Sequence, residues 1–426
     1  MIILEDSSMK RKLIHAAAIL IVLSIAGCSD IGRTGPGSSD PTQPAPPSPL
    51  TAAQKAIVSA DNSFGFKLFV SLNKKSTRQN LFICPLSVSM ALGMTMNGAN
   101  GPTRDAMQET LGFAGVTQED INRSYAGLSA LLTGLDPTVQ MQIANSIWYR
   151  PTLIVEDAFK TVNMTYFNAE VNSIDFSNPS APQTINGWVD RNTNGRITSV
   201  VPAPIPDGIV MYLINAVYFK GTWTYRYDPK ETRDDYFASA DGSENPCRMM
   251  AQTDTVPYFS ENGVQGIDLP YGKAGFSMTV ILPPAGVDID NFVSGLTQEQ
   301  WNRWMAKLVR KAVTINMPRF RINWRQSLTD VLSAMGMSVV FSDGADFTGI
   351  DRRGSLAVSD VLHVTFVQVD EEGTEAAGVT VIGMTATAVK EDGPAFMRLN
   401  RPFIFALREN QTGTILFIGK VALPSW

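Results

Sequence analysis

Histidine and cysteine are scarce in this chain, and their scarcity removes most of the common catalytic sites. The 426 residues contain two histidines, His15 and His363, and three cysteines. A Ser-His-Asp or Cys-His nucleophile system beyond the first 28 residues would have to use His363. One histidine and two separated cysteines are also a poor ligand set for a metal ion. The sequence therefore predicts a protein that is not an enzyme and that needs no metal or other cofactor.

A basic surface is lacking as well. The chain has 35 Lys and Arg against 40 Asp and Glu, a net charge of −5. This balance argues against nucleic acid as a partner. The composition, 44% hydrophobic and 18% charged, is typical of a globular protein with a large core.

The beginning of the chain has the features of a secretion signal. Translation is expected to start at Met9, a basic stretch follows, and the apolar run of residues 13–25 is too short to span a bilayer. The run ends in Ile25-Ala26-Gly27-Cys28, which resembles a prokaryotic lipobox. Residues 1–27 are then a lipoprotein signal peptide, and a lipid on Cys28 anchors an extracellular or periplasmic protein to a membrane. Simple cleavage of a secretory signal is the alternative.

The remaining chain divides at residue 50. Residues 28–50 are rich in Pro, Ser and Gly and are predicted to form an extended tether. Residues 51–426 show no comparable break and no repeat, so we interpret them as one domain. Helical patterns come mainly first, such as Phe64, Leu68 and Leu72, and strand-like runs come mainly later. This order favours an α+β domain.

Two further cysteines, Cys84 and Cys247, lie in apolar or strand-like contexts. Such contexts favour buried free thiols. A disulfide between them is the alternative, and the spacing does not decide.

A run of small residues near the end of the chain is the most unusual feature. Residues 369–389 read VDEEGTEAAGVTVIGMTATAV, between strand-like segments. From Thr374 to Ala386 there is no proline and one charge, Glu375. Small residues without proline are compatible with a strand, because proline would forfeit a ladder hydrogen bond. In a strand, alternation would place one set on a single face, the face that a sheet would bury: Thr374, Ala376, Gly378, Thr380, Ile382 and Met384.

This segment resembles the hinge of the reactive-centre loop of serpins, the serine-protease-inhibitor family. The segments NLFICPLSVSMALGMTMNGANGPTRDAMQETLGF, LINAVYFKGTW, GIDLPYGKAGFSMTVILP and NRPFIFALRENQTGTILFIGKVALP are similar to family segments in the same order, from about residue 60 to 424. The resemblance implies the serpin fold: one large α+β domain with three β-sheets, eight to nine helices and an exposed reactive-centre loop. The loop hinge would comprise Glu371, Gly373, Thr374, Glu375, Ala376, Ala377 and Thr380.

The resemblance also implies a mechanism. A target serine protease would cleave the loop, form an acyl-enzyme and be held covalently while the loop inserts into the main sheet of a metastable monomer. The family's spacing predicts cleavage at Thr387–Ala388, with the bonds from Ala386 to Lys390 as alternatives. Small neutral residues there suit an elastase-like or subtilisin-like protease. The alternative function is a non-inhibitory binding protein on the same scaffold, whose loop is only a substrate.

Four further residues match positions of the family. Ser87, Asn215 and His363 match the polar shutter cluster beneath the main sheet, where Asn and Ser would supply partners to the buried imidazole. Cys84 departs from the pattern, which has Ser there. Trp223 resembles the Trp near the point where the loop enters the sheet.

Overall fold

A computed structural model describes residues 50–354, 356–374 and 393–426. The predictions made for the lipidation site, for part of the hinge and for the scissile bond fall outside these ranges. They concern Cys28, Glu375, Ala376, Ala377, Thr380, Thr387 and Ala388.

The described part of the chain contains nine α-helices. The first is capped reciprocally, because the Thr51 hydroxyl accepts from the Gln54 amide and the Gln54 side chain accepts from the Thr51 amide. Phe64, Leu68 and Leu72 are buried on its inner face, as their spacing predicts. The helices are α1 (Ala52–Asn73), α2 (Pro85–Met96), α3 (Gly101–Leu111), α4 (Gln118–Gly134), α5 (Asp157–Phe167), α6 (Ala181–Asn192), α7 (Ile289–Ser294), α8 (Gln298–Met305) and α9 (Thr329–Leu332).

Fifteen strands accompany them in the described ranges. Strands outnumber helices after residue 210, which confirms the predicted α+β order. The strands are β1 (Leu81–Ile83), β2 (Gln140–Tyr149), β3 (Ala169–Ser173), β4 (Met211–Thr222), β5 (Arg233–Ala238), β6 (Glu244–Glu261), β7 (Val264–Tyr271), β8 (Phe276–Leu282), β9 (Val309–Pro318), β10 (Phe320–Ser327), β11 (Leu362–Val369), β12 (Gly373–Thr374), β13 (Ala395–Arg398), β14 (Phe403–Glu409) and β15 (Ile415–Val421).

The strands build a six-stranded sheet and a nine-stranded sheet. The first has the order β10-β11-β12-β4-β2-β3. The second has the order β1-β15-β14-β8-β7-β6-β9-β13, with β5 added to β6. The 18-residue strand β6 pairs with β5 over residues 244–249, with β9 over residues 249–258 and with β7 over residues 258–261. The three predicted sheets therefore appear as the six-stranded sheet and two sections of the larger sheet that share β6.

The six-stranded sheet is covered on both faces. Helix α2 is buried under β4, and its proline start and apolar circumference explain why it forms inside the core. On the other face, α6 packs on β2 and β4 through a smaller apolar cluster that includes Trp148, Trp188 and Ala216. No helix within the described ranges is long and apolar enough to cross a membrane.

Candidate functional site

The short strand β12 lies between the two central strands of the six-stranded sheet. Thr374 pairs antiparallel with Val369 of β11 on one side and with Gly221 of β4 on the other. Gly373 pairs with Thr222. The first residues of the predicted hinge thus already form a strand in the middle of the sheet.

Glycine at position 373 follows from the closeness of β4. Its φ of +154° lies in a region that L side chains rarely adopt. A Cβ atom there would lie 2.0 Å from the Gly221 carbonyl oxygen and 2.8 Å from the Thr222 Cα. Because both neighbours are backbone atoms, no rotamer change would relieve the clash.

Aromatic side chains hold the hinge at its entry point. The Tyr271 hydroxyl and the Thr374 hydroxyl are 2.5 Å apart, and both residues are buried. Trp223 stacks on Tyr271 with ring centroids 4.5 Å apart. The Trp223 indole N–H donates to the Asp370 carbonyl at 2.9 Å, and its backbone N–H donates to the Glu372 carbonyl at 2.8 Å. Trp223 therefore lies at the position that the resemblance implied.

An ion pair anchors the residue that begins the hinge. The Glu371 carboxylate is buried and accepts from the Arg319 Nε at 2.8 Å, and a second guanidinium nitrogen lies 2.6 Å from the same oxygen. The Thr232 hydroxyl also donates to this carboxylate. We call the Arg319–Glu371 contact the hinge ion pair. Charge-assisted bonds of this kind are among the stronger side-chain contacts.

Beyond β12 the facing edges of β11 and β4 have no ladder partner among the described residues. β11 pairs with β10 on its other edge, and β4 pairs with β2 on its other edge. No pairing joins residues 362–368 of β11 to residues 211–220 of β4. We call these two facing edges the seam. Unpaired edges inside a sheet offer a template for an additional strand.

The segment from β1 to α2 crosses beneath the seam and contacts both of its strands. On the β11 side, the Cys84 backbone N–H donates to the His363 Nε2 at 2.9 Å. The Thr365 hydroxyl donates to the Phe82 carbonyl at 2.6 Å. These bonds attach β11 to the segment that leads into α2.

On the β4 side, the contacts involve Asn215. The Ser87 hydroxyl donates to the Asn215 backbone carbonyl at 3.4 Å. The Asn215 side-chain amide donates to the Asn145 side chain at 2.7 Å, and Asn145 in turn donates to the Phe167 carbonyl. The Asn215 Oδ1 is buried and has no hydrogen-bond donor among the residues that the structure describes. A buried unpaired acceptor in a native fold is costly and calls for an explanation.

The structure brings Ser87, Asn215 and His363 to one region, but it bonds them differently from the expectation. The His363 Nε2 takes its hydrogen bond from the Cys84 backbone and not from an Asn or Ser side chain. Replacement of Ser by Cys84 therefore does not remove this bond, since the donor belongs to the main chain. Cys84 and Cys247 are both free, as favoured above, although Cys247 is only half-buried.

Burial sets the protonation of the groups beneath the seam. Desolvation lowers the pKa of His363 to about 4, so the imidazole is neutral at pH 7. Desolvation also raises the pKa of the Cys84 thiol to about 12, which makes it a poor nucleophile. Within the ranges that the structure describes, no group of His, Cys, Asp or Glu side chains could hold a metal ion.

Four residues at this site were not predicted from the sequence: Arg319, Tyr271, Thr232 and Asn145. Arg319 lies within the strand-like run of residues 312–322, and the spacing around it carries no signal. Hydroxyl and amide side chains such as Thr232 and Asn145 are common in strands, so their types alone would not select them.

Comparisons with known proteins agree with this fold. The family model described as Serpin (serine protease inhibitor) matches residues 59–424. Iripin-4 of Ixodes ricinus is 34% identical over 376 residues, covering 85% of this chain and 93% of that protein. Serine protease inhibitor 42Dd of Drosophila melanogaster is 32% identical over 366 residues, covering 84% and 95%. The structure of human thyroxine-binding globulin complexed with thyroxine superposes with a TM-score of 0.80 at 26% identity, covering 88% and 100%.

The fold and the site define a protein with a loop hinge set between two central strands of its main sheet. The match over residues 59–424 spans nearly all of the predicted domain. The chain belongs to the serpin family.

Proposed function

We propose that this protein inhibits a serine protease by a suicide mechanism in which the loop after Thr374 inserts into the seam. The observation that carries the proposal is the pairing of β12 with both β11 and β4, above edges that have no other partner among the described residues. The names of relatives such as serine protease inhibitor 42Dd support it.

The register of β12 tells which loop residues would meet which strand residues. Because the inserted strand would be antiparallel to both neighbours, each two residues forward along the loop correspond to two residues backward along β11 and along β4. Six residues beyond Thr374, Thr380 would lie between His363 and Asn215. Its hydroxyl would be in place to donate to the unpaired Asn215 Oδ1.

The same register supports the predicted burial of alternate loop residues. Thr374 is buried, and so are Val369, Val367, Thr365 and His363, which are the residues of β11 that would lie opposite the even-numbered loop positions. Those positions carry Thr, Ala, Gly and Thr from 374 to 380, which are small and uncharged. The one charge, Glu375, falls on the opposite face.

The chemistry of the proposed inhibition starts at the protease. Its serine oxygen attacks the carbonyl carbon of Thr387, an ester forms, and the nitrogen of Ala388 leaves as an amine with a proton relayed by the protease histidine. Residues 374–387 extend about 46 Å as a strand. Insertion would carry the ester-linked protease over that distance before water could cleave the ester.

The test is incubation of a 29–426 protein with elastase, subtilisin and trypsin separately, followed by a denaturing gel and mass spectrometry of the released peptide. We expect a gel-stable complex with an elastase-like or subtilisin-like enzyme and a peptide that begins at Ala388 or a neighbour. The Lys390→Ala variant is the matched control, because it removes the trypsin site and leaves the Thr387–Ala388 bond intact.

Other results would change the assignment. A trypsin complex that Lys390→Ala abolishes would move the scissile bond to Lys390. Cleavage by all three enzymes without any complex would contradict inhibition of these classes and favour the non-inhibitory alternative. Thyroxine-binding globulin, which was solved with thyroxine, has a closely similar fold, so the fold alone does not choose between the two functions.

We also propose that the protein is a monomeric lipoprotein of prokaryotic type, tethered outside the cytoplasm through Cys28. The support is the sequence of basic residues, apolar run and Ile25-Ala26-Gly27-Cys28. A Cys28→Ser variant should move from the detergent phase to the aqueous phase in a phase-separation assay. Equal partition of wild type and Cys28→Ser would contradict the lipid anchor.

A further inference from the structure

The residues after β15 run along the outer edge of the six-stranded sheet. We call residues 422–426 the edge segment. Asn80 holds its start, because the Asn80 side chain accepts from the amides of Ala422 and Leu423. Further along, the Arg321 backbone N–H donates to the Ser425 carbonyl at 2.7 Å, and the Ser425 hydroxyl donates to the Arg321 carbonyl at 2.9 Å. These bonds attach the edge segment to β10, the edge strand.

This attachment places the ring of Trp426 over two guanidinium groups. The Arg319 Cζ lies 5.4 Å from the ring centroid, and the Arg321 Cζ lies 5.5 Å from it. Arg319 and Arg321 are two residues apart in an extended chain, so their side chains point to the same face. Both distances are within the range of a cation–π contact.

Arg319 is the cation of the hinge ion pair, and it is therefore shared between Trp426 and the loop hinge. Its guanidinium contacts the Glu371 carboxylate on one side and the Trp426 ring on the other. Arg319 has only 24% of its side chain exposed, and Glu371 has 5%. A long side chain held at two points loses less freedom when it bonds the carboxylate than one held at a single point.

We infer that Trp426 is a positioning residue for the hinge: it holds the Arg319 guanidinium against Glu371 and so stabilises β12 at the entry to the seam. The contact itself does not depend on the proposed inhibition. Its consequence for loop insertion rests on that proposed function. Loss of the ring should loosen the hinge and make the seam easier to enter.

The first test measures hydrogen exchange of the hinge amides, residues 369–374, in the 29–426 protein. Trp426→Ala should lower their protection about two- to fivefold, the range expected from loss of one exposed cation–π contact. Trp426→Phe keeps an aromatic face and should restore most of the protection. Tyr236→Ala is the matched control, because Tyr236 is an aromatic residue of similar exposure, 59% against 55%.

A double-mutant cycle separates positioning from a general loss of stability. In a Glu371→Gln background, Trp426→Ala should have little further effect on hinge exchange, since the ion pair is already gone. An Arg319→Gln background gives the same cycle if Glu371→Gln folds poorly. Unchanged exchange in Trp426→Ala, or an equal change in both backgrounds, would overturn the inference.

A second readout addresses insertion. A synthetic peptide of residues 374–387, TEAAGVTVIGMTAT, should anneal to Trp426→Ala about two- to fivefold faster than to wild type, as followed by native gel. Failure of the peptide to anneal to any variant would count against the proposed loop insertion. The exchange experiment would still decide the role of Trp426.

Discussion

Substitution of Thr380 by arginine tests the proposed insertion most directly. In the proposed inserted state, the register of β12 would place position 380 between His363 and Asn215, on the buried face of the sheet. His363 is neutral there and Asn215 carries no charge, so neither offers the guanidinium a counter-ion. Burying an unpaired charge costs several kcal/mol. A cost of about 3 kcal/mol in the insertion step would slow that step about 150-fold.

Slower insertion should let the protease escape from the complex more often. Inhibition requires insertion to outrun hydrolysis of the ester, so Thr380→Arg should be cut and released as a substrate. The number of inhibitor molecules consumed per protease inactivated should rise at least about tenfold, as measured by titration of protease activity.

The matched control is Val381→Arg. In the proposed inserted state, position 381 would fall on the other face, opposite Leu362, which is 36% exposed. A charge at this position can reach water more easily, so the stoichiometry should change much less. Equal stoichiometries for Thr380→Arg and Val381→Arg, or no change in either, would refute the register argument.

Three further predictions concern the hinge, the shutter and a buried ion pair. Gly373→Ala should lower the free energy of unfolding by about 2 kcal/mol, because the new Cβ would meet the β4 backbone. Hydrogen exchange should then show hinge amides without protection. Normal protection of these amides would contradict the clash. His363 binds a proton less readily when folded, so stability should fall by up to about 3 kcal/mol as the pH drops from 6.5 towards 4. The free energy of unfolding of His363→Gln, measured with urea, should not show this loss between pH 6.5 and 4. Asp290→Asn should lower the free energy of unfolding by about 3 kcal/mol, because it leaves the buried Lys420 ammonium, 2.5 Å from Asp290, without its counter-charge. Adding Lys420→Met should recover much of that loss.

The pH prediction has a definite sign. The native state keeps His363 neutral, while the unfolded chain takes up a proton below its ordinary pKa of 6.5. Between pH 6.5 and 4 the unfolded state therefore binds more protons, and stability rises with pH. The contribution is fully present above pH 6.5.

Much of the fold could be predicted from local patterns. The spacing of Phe64, Leu68 and Leu72 predicts α1, and the run of residues 87–99, apolar all round, predicts a buried helix, which the structure shows as α2. Strand β6 was not predicted, because its 18 residues include two prolines and many exposed polar side chains. Its length depends on partners at both ends, which no local pattern contains.

The loop composition is a property that the sequence determines by itself. Residues 374–386 contain no proline, mainly small side chains and a single charge. This composition is compatible with entry into a sheet, wherever that sheet lies. Gly373 and Glu371 could also be named as hinge residues from the resemblance alone.

Only the tertiary structure decided what holds the hinge. Arg319 meets Glu371 across 52 residues of chain, and the Cys84 amide meets His363 across 279. Such contacts depend on the register and twist of the sheet, and a shift of one residue would send each side chain to the other face. The sequence by itself therefore specified a segment whose composition is compatible with a strand, whereas strand pairing between distant segments decided where the hinge lies and which residues hold it.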